Sequence, residues 1–352
     1  MSDLGSGVTT LETLFTNRSF RVPPYQRHYA WEERQLSEFI NDLSNASESR
    51  GHFLGTLLFM RPAPDPSSPS DMSGASGSSP YKVFDIVDGQ QRLTTAVLFM
   101  NAVRHAQPTL LRRMQVRNFV YDEDEIIYKF QTVPEDWPFF RAVLDGGRDA
   151  MLMAQTPSQK RLEAASKYFA GVLSTHDRIQ VERWIRTLSG CTILVHSVDG
   201  YGEAVAVFET VNDRGKKLTD LEGLKSFLMR IVGITNQPVA AERQAIEEMQ
   251  GSFADVYRMI NRFERDMPED AALRQCYFTF PRVQVDGQID YWNGGTNPKD
   301  SANAKDDAKN HLLGLVSKGH YRAAFDASLR LARHIRNSFQ KIEAVINNTP
   351  RC

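Results

Sequence analysis

Cysteine is scarce in this chain of 352 residues: Cys191, Cys276 and Cys352 stand far apart and form no CxxC pair. That excludes a cysteine-based zinc site and an even-numbered disulfide framework, and leaves Cys191, set in an apolar run, as a core residue. No apolar run reaches the roughly 18 residues of a membrane span. The N-terminus lacks the basic start and apolar core of a secretory signal, so a soluble cytoplasmic protein is expected. Net charge is only -1, so the molecule as a whole gives no electrostatic case for nucleic-acid binding, and any DNA contact must come from a local patch. A Walker A sequence is also missing, which disfavours a P-loop NTPase.

What is present supports a folded protein. At 41% hydrophobic residues the chain can bury a substantial core, in two domains or in one with a large insertion. Leu11, Leu14 and Phe15 share one side of a short opening helix that the preceding threonines can cap. Residues 20–24 alternate briefly and meet two prolines, which favours an extended stretch. A polar and aromatic loop spans 25–31, and 32–46 return to helical spacing through Leu36, Phe39, Ile40 and Leu43. Residues 53–60 and 81–87 read as strands that pair across 61–80, a mobile surface insertion rich in proline, serine and glycine. A loop of that length adds little closure entropy. A helix follows at 93–106. Residues 107–190 are mainly helical with Trp137, Phe139 and Phe140 as anchors, and 191–198 form a β-rich run that could rejoin the sheet. Thr219 and Glu222 make a capping box for a helix carrying Leu221, Leu224, Phe227 and Leu228. The predicted class is α+β: a small mixed sheet with a helical insertion at about 107–190 in a first domain over 1–230, then a mainly helical domain over 231–352.

The chemistry centres on Asp88-Gly89-Gln90-Gln91-Arg92, between an apolar strand and an apolar helix. Gly89 permits a tight backbone approach, and the N–H groups opening the next helix can hold an anion. Arg92 can add a bidentate bond to a phosphate. Asp88 would repel a bare phosphate, so its role there is to hold Mg2+ or orient a water. The alternative is a plain strand-to-helix turn in which Asp88 caps the helix and Arg92 pairs with a nearby carboxylate.

Four ordered blocks extend this constellation: Phe20-x-Val22-Pro23-x-Tyr25-Gln26-Arg27-x-Tyr29-x-Trp31, His52-Phe53-Leu54-Gly55, Val87 to Thr95, and Phe208-Glu209-x-x-Asn212-x-Arg214-Gly215-x-x-Leu218. Over about residues 10–230 they resemble the DUF262 family, which includes the N-terminal halves of GmrSD-type modification-dependent restriction enzymes. The resemblance implies a fold related to ParB and sulfiredoxin, with Gly89 to Arg92 as its phosphate-binding element. It also implies nucleotide hydrolysis coupled to defence against foreign DNA.

The other blocks supply partners for that turn. Gln26 and Arg27 offer an amide and a second phosphate donor. Tyr25, Tyr29 and Trp31 can stack on a base or DNA, or lock the loop to the core. His52 can touch phosphate or orient a group near neutral pH. Glu209 could orient a water, while Asn212 and Arg214 could contact the nucleotide or metal shell; capping and loop closure are their structural alternative. The resulting catalytic set is Asp88, Gln91, Arg92 and Glu209. The nucleotide set is Gln26, Arg27, His52, Gly89, Gln90, Arg92, Asn212 and Arg214, with Mg2+ on Asp88 and an NTP of unassigned base.

The tail departs from larger family members. His311, His320 and His334 lack the compact His, Asn and His arrangement of a ββα-metal nuclease. The expectation is therefore an Mg2+-dependent NTPase acting as sensor or regulatory component of an anti-phage restriction system. It would recognise DNA, modified or not, pair with a separate nuclease subunit, and could self-associate. A DNA-nicking enzyme using the same pocket and a catalytically silent nucleotide- or DNA-binding module are the alternatives. The last helix, at about 321–346, carries Arg330 and Arg333 beside its apolar residues as contacts to DNA phosphates or an acidic partner, or as a solvated face.

Overall fold

The computed structural model describes residues 4–46, 52–61, 81–114, 120–122, 127–146, 153–198, 219–263, 269–279, 283–285, 288–290 and 304–348. The chain divides into two compact units: Met1–Pro23 with Arg27–Asp199, and Pro24–Gln26 with Gly200–Cys352. The mixed α/β first unit and the helical second one fit the α+β expectation.

The first unit is built on a six-stranded sheet of order β1-β8-β3-β4-β2-β7. Its strands are β1 (Gly7–Thr10), β2 (Arg18–Arg21), β3 (Phe53–Met60), β4 (Lys82–Asp88), β7 (Phe130–Gln131) and β8 (Thr192–Val198). The expected pairing of β3 with β4 is present and antiparallel, and β8 does rejoin the sheet, parallel to β3 and antiparallel to β1. Strand β2 lies parallel to β4 and places Phe20 opposite Phe84. Just before β7 in the chain, β5 (Tyr121–Asp122) and β6 (Ile127–Tyr128) form a separate antiparallel pair. The strands within 107–190 depart from the helical expectation, because two-residue strands carry no alternation that a sequence could display.

Helices α1 (Leu11–Leu14), α2 (Glu33–Asn45), α3 (Gln90–Ala106), α4 (Pro108–Met114), α5 (Trp137–Leu144), α6 (Pro157–Thr175) and α7 (Arg178–Ser189) complete this unit. The stripe on α2 buries Leu36, Phe39, Ile40 and Leu43, as its spacing predicts. Helix α3 is buried almost all round, which is why its sequence is a continuous apolar run rather than a stripe. Phe99 on α3 meets Phe39, Phe169 and Trp184 edge-on at 5.5–6.3 Å between ring centroids. Burying each such side chain contributes about 1.5–3 kcal/mol, enough to fix α3 and hence its first turn.

The second unit packs α8 (Asp220–Ile234), α9 (Val239–Arg262), α10 (Glu269–Thr279), α11 (Ala304–Ser317) and α12 (Tyr321–Asn348) around one core, with a hairpin of β9 (Val283–Val285) and β10 (Gln288–Asp290). The capping box opening α8 is present: Glu222 N–H donates to Thr219 Oγ1 and Thr219 N–H to Glu222 Oε2. Leu221, Leu224, Phe227 and Leu228 share their core with Phe253, Phe325, Ile335 and Phe339. Helix α8 therefore belongs to the helical unit, and the division falls at 199/200 where the sequence suggested 230. The insertion expected at 61–80 lies outside the described residues except for Arg61.

Candidate functional site

Strand β4 ends on Asp88, Gly89 turns with φ at 93°, and α3 begins at Gln90. Two constraints require glycine at 89. Its backbone is left-handed, and a Cβ would fall 2.1 Å from Leu57 Cδ2. Because the cap residue is glycine and the first turn holds no acidic residue, the positive end of a 17-residue helix faces the turn without a capping carboxylate of its own. Asp88 instead approaches Arg92, with Oδ2 3.5 Å from Nη2.

Arg92 lies across β3. Its Nη1 donates to Leu54 O at 3.1 Å and its Nη2 to Thr56 O at 2.8 Å. This lodging explains Gly55, whose φ is 116° and whose Cβ would sit 1.7 Å from Arg92 Nη1. Two strand carbonyls thus aim the guanidinium, which stays 28% exposed beside a 24% exposed Asp88. Gln90 is buried, and its Oε1 has no hydrogen-bond partner among the described residues.

Gln91 holds the 25–31 loop. Its Oε1 accepts from Ala30 N–H at 2.9 Å and its Nε2 donates to His28 O at 3.1 Å. Both ends of the Gln91 amide are thus bonded to loop backbone, so the side chain positions the loop beside the turn. Tyr29 is 5% exposed and shares a 2.8 Å hydrogen bond with Thr95 Oγ1; burial pushes its phenol pKa up. Tyr25 is also 5% exposed, with Lys225 Nζ donating to its carbonyl at 3.0 Å. Both rings are largely enclosed by protein. Trp31 is half-buried and packs against the first core. Gln26 is buried, whereas Arg27 is half-buried and has no polar partner among the described residues.

His52 precedes β3, where its carbonyl accepts from Thr192 N–H at 2.7 Å. Burial lowers its imidazole pKa, and the nearby Asp42 charge opposes that shift. Glu209, Asn212 and Arg214 lie outside the described residues. On α12, Arg333 forms a two-pronged ion pair with Glu248, which lowers the Glu248 pKa, while Arg330 is exposed with no partner among the described residues.

A buried network escaped the sequence reading. His28 Nδ1 lies 2.9 Å from Asp136 Oδ2, and Ser158 Oγ donates to Asp136 Oδ1 at 2.8 Å; all three residues are at most 6% exposed. His28 stands inside the first motif block, but its carboxylate is 108 residues away and no local spacing could announce it. Asp136 thereby anchors the ring of the same residue whose carbonyl Gln91 holds. Elsewhere in the sheet, Arg21 makes a bidentate pair with Asp85 at 2.8 and 3.3 Å, yet burial still raises the Asp85 pKa.

Among the described residues no group of three or more His, Cys, Asp or Glu side chains is placed to hold a metal. A single carboxylate at Asp88 is compatible with Mg2+, which commonly takes one or two carboxylates and completes its shell with phosphate oxygens and water. No helix among the described residues is long and apolar enough to cross a membrane.

A family model described as the GmrSD restriction endonuclease N-terminal domain matches residues 11–229, from the first residue of α1 into α8. Comparison with curated proteins gives no match. The match takes in the β4–α3 turn, the clamped 25–31 loop and Gly55, and covers well over half of the chain. The chain therefore belongs to the GmrSD restriction endonuclease N-terminal domain family and is a component of a restriction system.

Proposed function

We propose that the β4–α3 turn binds the phosphates of a nucleoside triphosphate and hydrolyses it, and that this turnover regulates restriction of DNA. The supporting observation is the glycine-capped start of α3, with Arg92 aimed by two strand carbonyls and Arg27 on the adjoining clamped loop. The first-turn N–H groups and the two guanidiniums supply donors for phosphate oxygens. Asp88 would hold Mg2+, which neutralises developing phosphate charge when bound. Water attacks the γ-phosphorus, the β,γ P–O bond breaks, and inorganic phosphate and the diphosphate leave. Within the proposal, Glu209 orients that water, and Asn212 and Arg214 contact the phosphates or metal shell.

Within this proposal DNA cleavage is assigned to a separate nuclease subunit, with this chain as sensor or regulator. Purified protein should release phosphate from an NTP in the presence of Mg2+, and DNA should alter the rate. Tight nucleotide binding with no phosphate release would leave only a binding module. Absence of both would refute the site.

A further inference from the structure

Resting on that reading, we propose that a groove beside the 25–31 loop is the base subsite of the same nucleotide, and that it recognises guanine. The groove lies between the start of α2 and one face of α6, encloses about 230 Å³, and is lined by Trp31, Leu36, Ala164 and Tyr168 together with charged residues of both helices. Ligand sites for drug-sized molecules run to roughly 300–1,000 Å³, so this one suits a single flat ring system better than a whole nucleotide. Trp31 and Tyr168 are both half-buried, and each supplies an aromatic surface to the groove.

The polar groups of the groove are asymmetric. Arg161 and Glu32 are paired at 3.2 Å. Glu33 and Lys160 also line it, are exposed, and have no polar partner among the described residues. One carboxylate and one ammonium are therefore available for the edge of a bound ring. Guanine fits that pair: N1–H and N2–H can both donate to Glu33, and O6 can accept from Lys160. Adenine and cytosine each offer a carboxylate only the exocyclic amine, and uracil only N3–H.

Connectivity joins this groove to the phosphate turn. Gln91, the second residue of α3, accepts from Ala30 N–H, and Trp31 is the next residue, one Cα step of about 3.8 Å further on. A base on Trp31 and phosphates at the start of α3 would thus lie on the two segments that the Ala30–Gln91 hydrogen bond joins.

The test is calorimetric titration of the full chain, with Mg2+, using GTP, ATP, CTP, UTP and inorganic tripolyphosphate, the last carrying phosphates but no base. GTP should bind at least about tenfold more tightly than tripolyphosphate and more tightly than the other three. Tyr168→Ala should reduce the GTP-to-tripolyphosphate affinity ratio by about 5- to 140-fold, the loss expected from one base–aromatic stack at 1.4 kcal/mol per tenfold. Glu33→Gln should abolish the preference for GTP. Both positions are solvent-accessible and outside the buried core, and circular dichroism checks that each variant folds. If tripolyphosphate binds but the ratio is the same in Tyr168→Ala, or if all four nucleotides bind alike, the guanine subsite is refuted while the phosphate site stands. If neither tripolyphosphate nor any nucleotide binds, the phosphate site itself fails. Binding of a single-stranded oligodeoxynucleotide that Tyr168→Ala weakens, with the GTP-to-tripolyphosphate ratio unchanged by that substitution, would reassign the groove to DNA and overturn the proposal.

Discussion

Gly55→Ala separates the two reasons for glycine beneath Arg92. A left-handed backbone at a residue with a Cβ costs roughly 1–2 kcal/mol wherever Arg92 is. The second part depends on Arg92: a Cβ 1.7 Å from Nη1 forces the guanidinium off Leu54 O and Thr56 O. Each hydrogen bond from a charged donor is worth about 1.5–3 kcal/mol, but the side chain is 28% exposed and water replaces part of the loss. A combined Arg92-dependent penalty of about 1–3 kcal/mol follows, for a total near 2–5 kcal/mol. Urea unfolding of wild type, Gly55→Ala, Arg92→Ala and the double variant measures both parts, with the slope of each transition checked for constancy. Gly55→Ala should cost less by about 1–3 kcal/mol when Arg92 is already absent. Additivity within about 0.5 kcal/mol would mean that Arg92 is not lodged over Gly55, and the aimed guanidinium would be wrong.

Four further outcomes follow from the same geometry. Gln91→Ala should destabilise the protein by about 2–4 kcal/mol, because Ala30 N–H and His28 O both lose their partner, and amide exchange at Ala30 should accelerate. Asp136→Asn should lower the urea midpoint by more than Ser158→Ala, since it disturbs both His28 and Ser158, whereas the serine change removes a single bond worth about 1 kcal/mol. Burial lowers the Lys225 pKa to about 8, with Glu222 and Glu269 opposing the shift. Between pH 8 and 10.5 the unfolded chain then holds more protons than the folded one, so Lys225 makes stability rise with pH in that window, and the rise should be smaller in Lys225→Met than in wild type. If α12 contacts DNA, Arg330→Glu should flatten the log-affinity versus log-salt slope by about 0.9 per phosphate lost, whereas Arg333→Glu would also break the Glu248 pair and lower the melting temperature.

Periodicity alone determined much of the first unit. The α2 stripe follows from a local apolar pattern, because burial on one face imprints a repeat on neighbouring residues, and apolar runs marked the strands at 53–60, 81–87 and 191–198. Short motifs also marked the β4–α3 turn, and its glycine was legible because a left-handed cap before a helix tolerates little else. What tertiary structure decided is who touches whom across long separations. It placed α8 in the helical core, set the Gln91 amide on the backbone of the 25–31 loop, buried Tyr25 and Tyr29, and brought Asp136 to His28. Arg92 and Gly55 show the reason most directly. Each is an ordinary residue in its own segment, and only the register that lays α3's first turn over β3 makes the absence of one side chain the condition for placing the other.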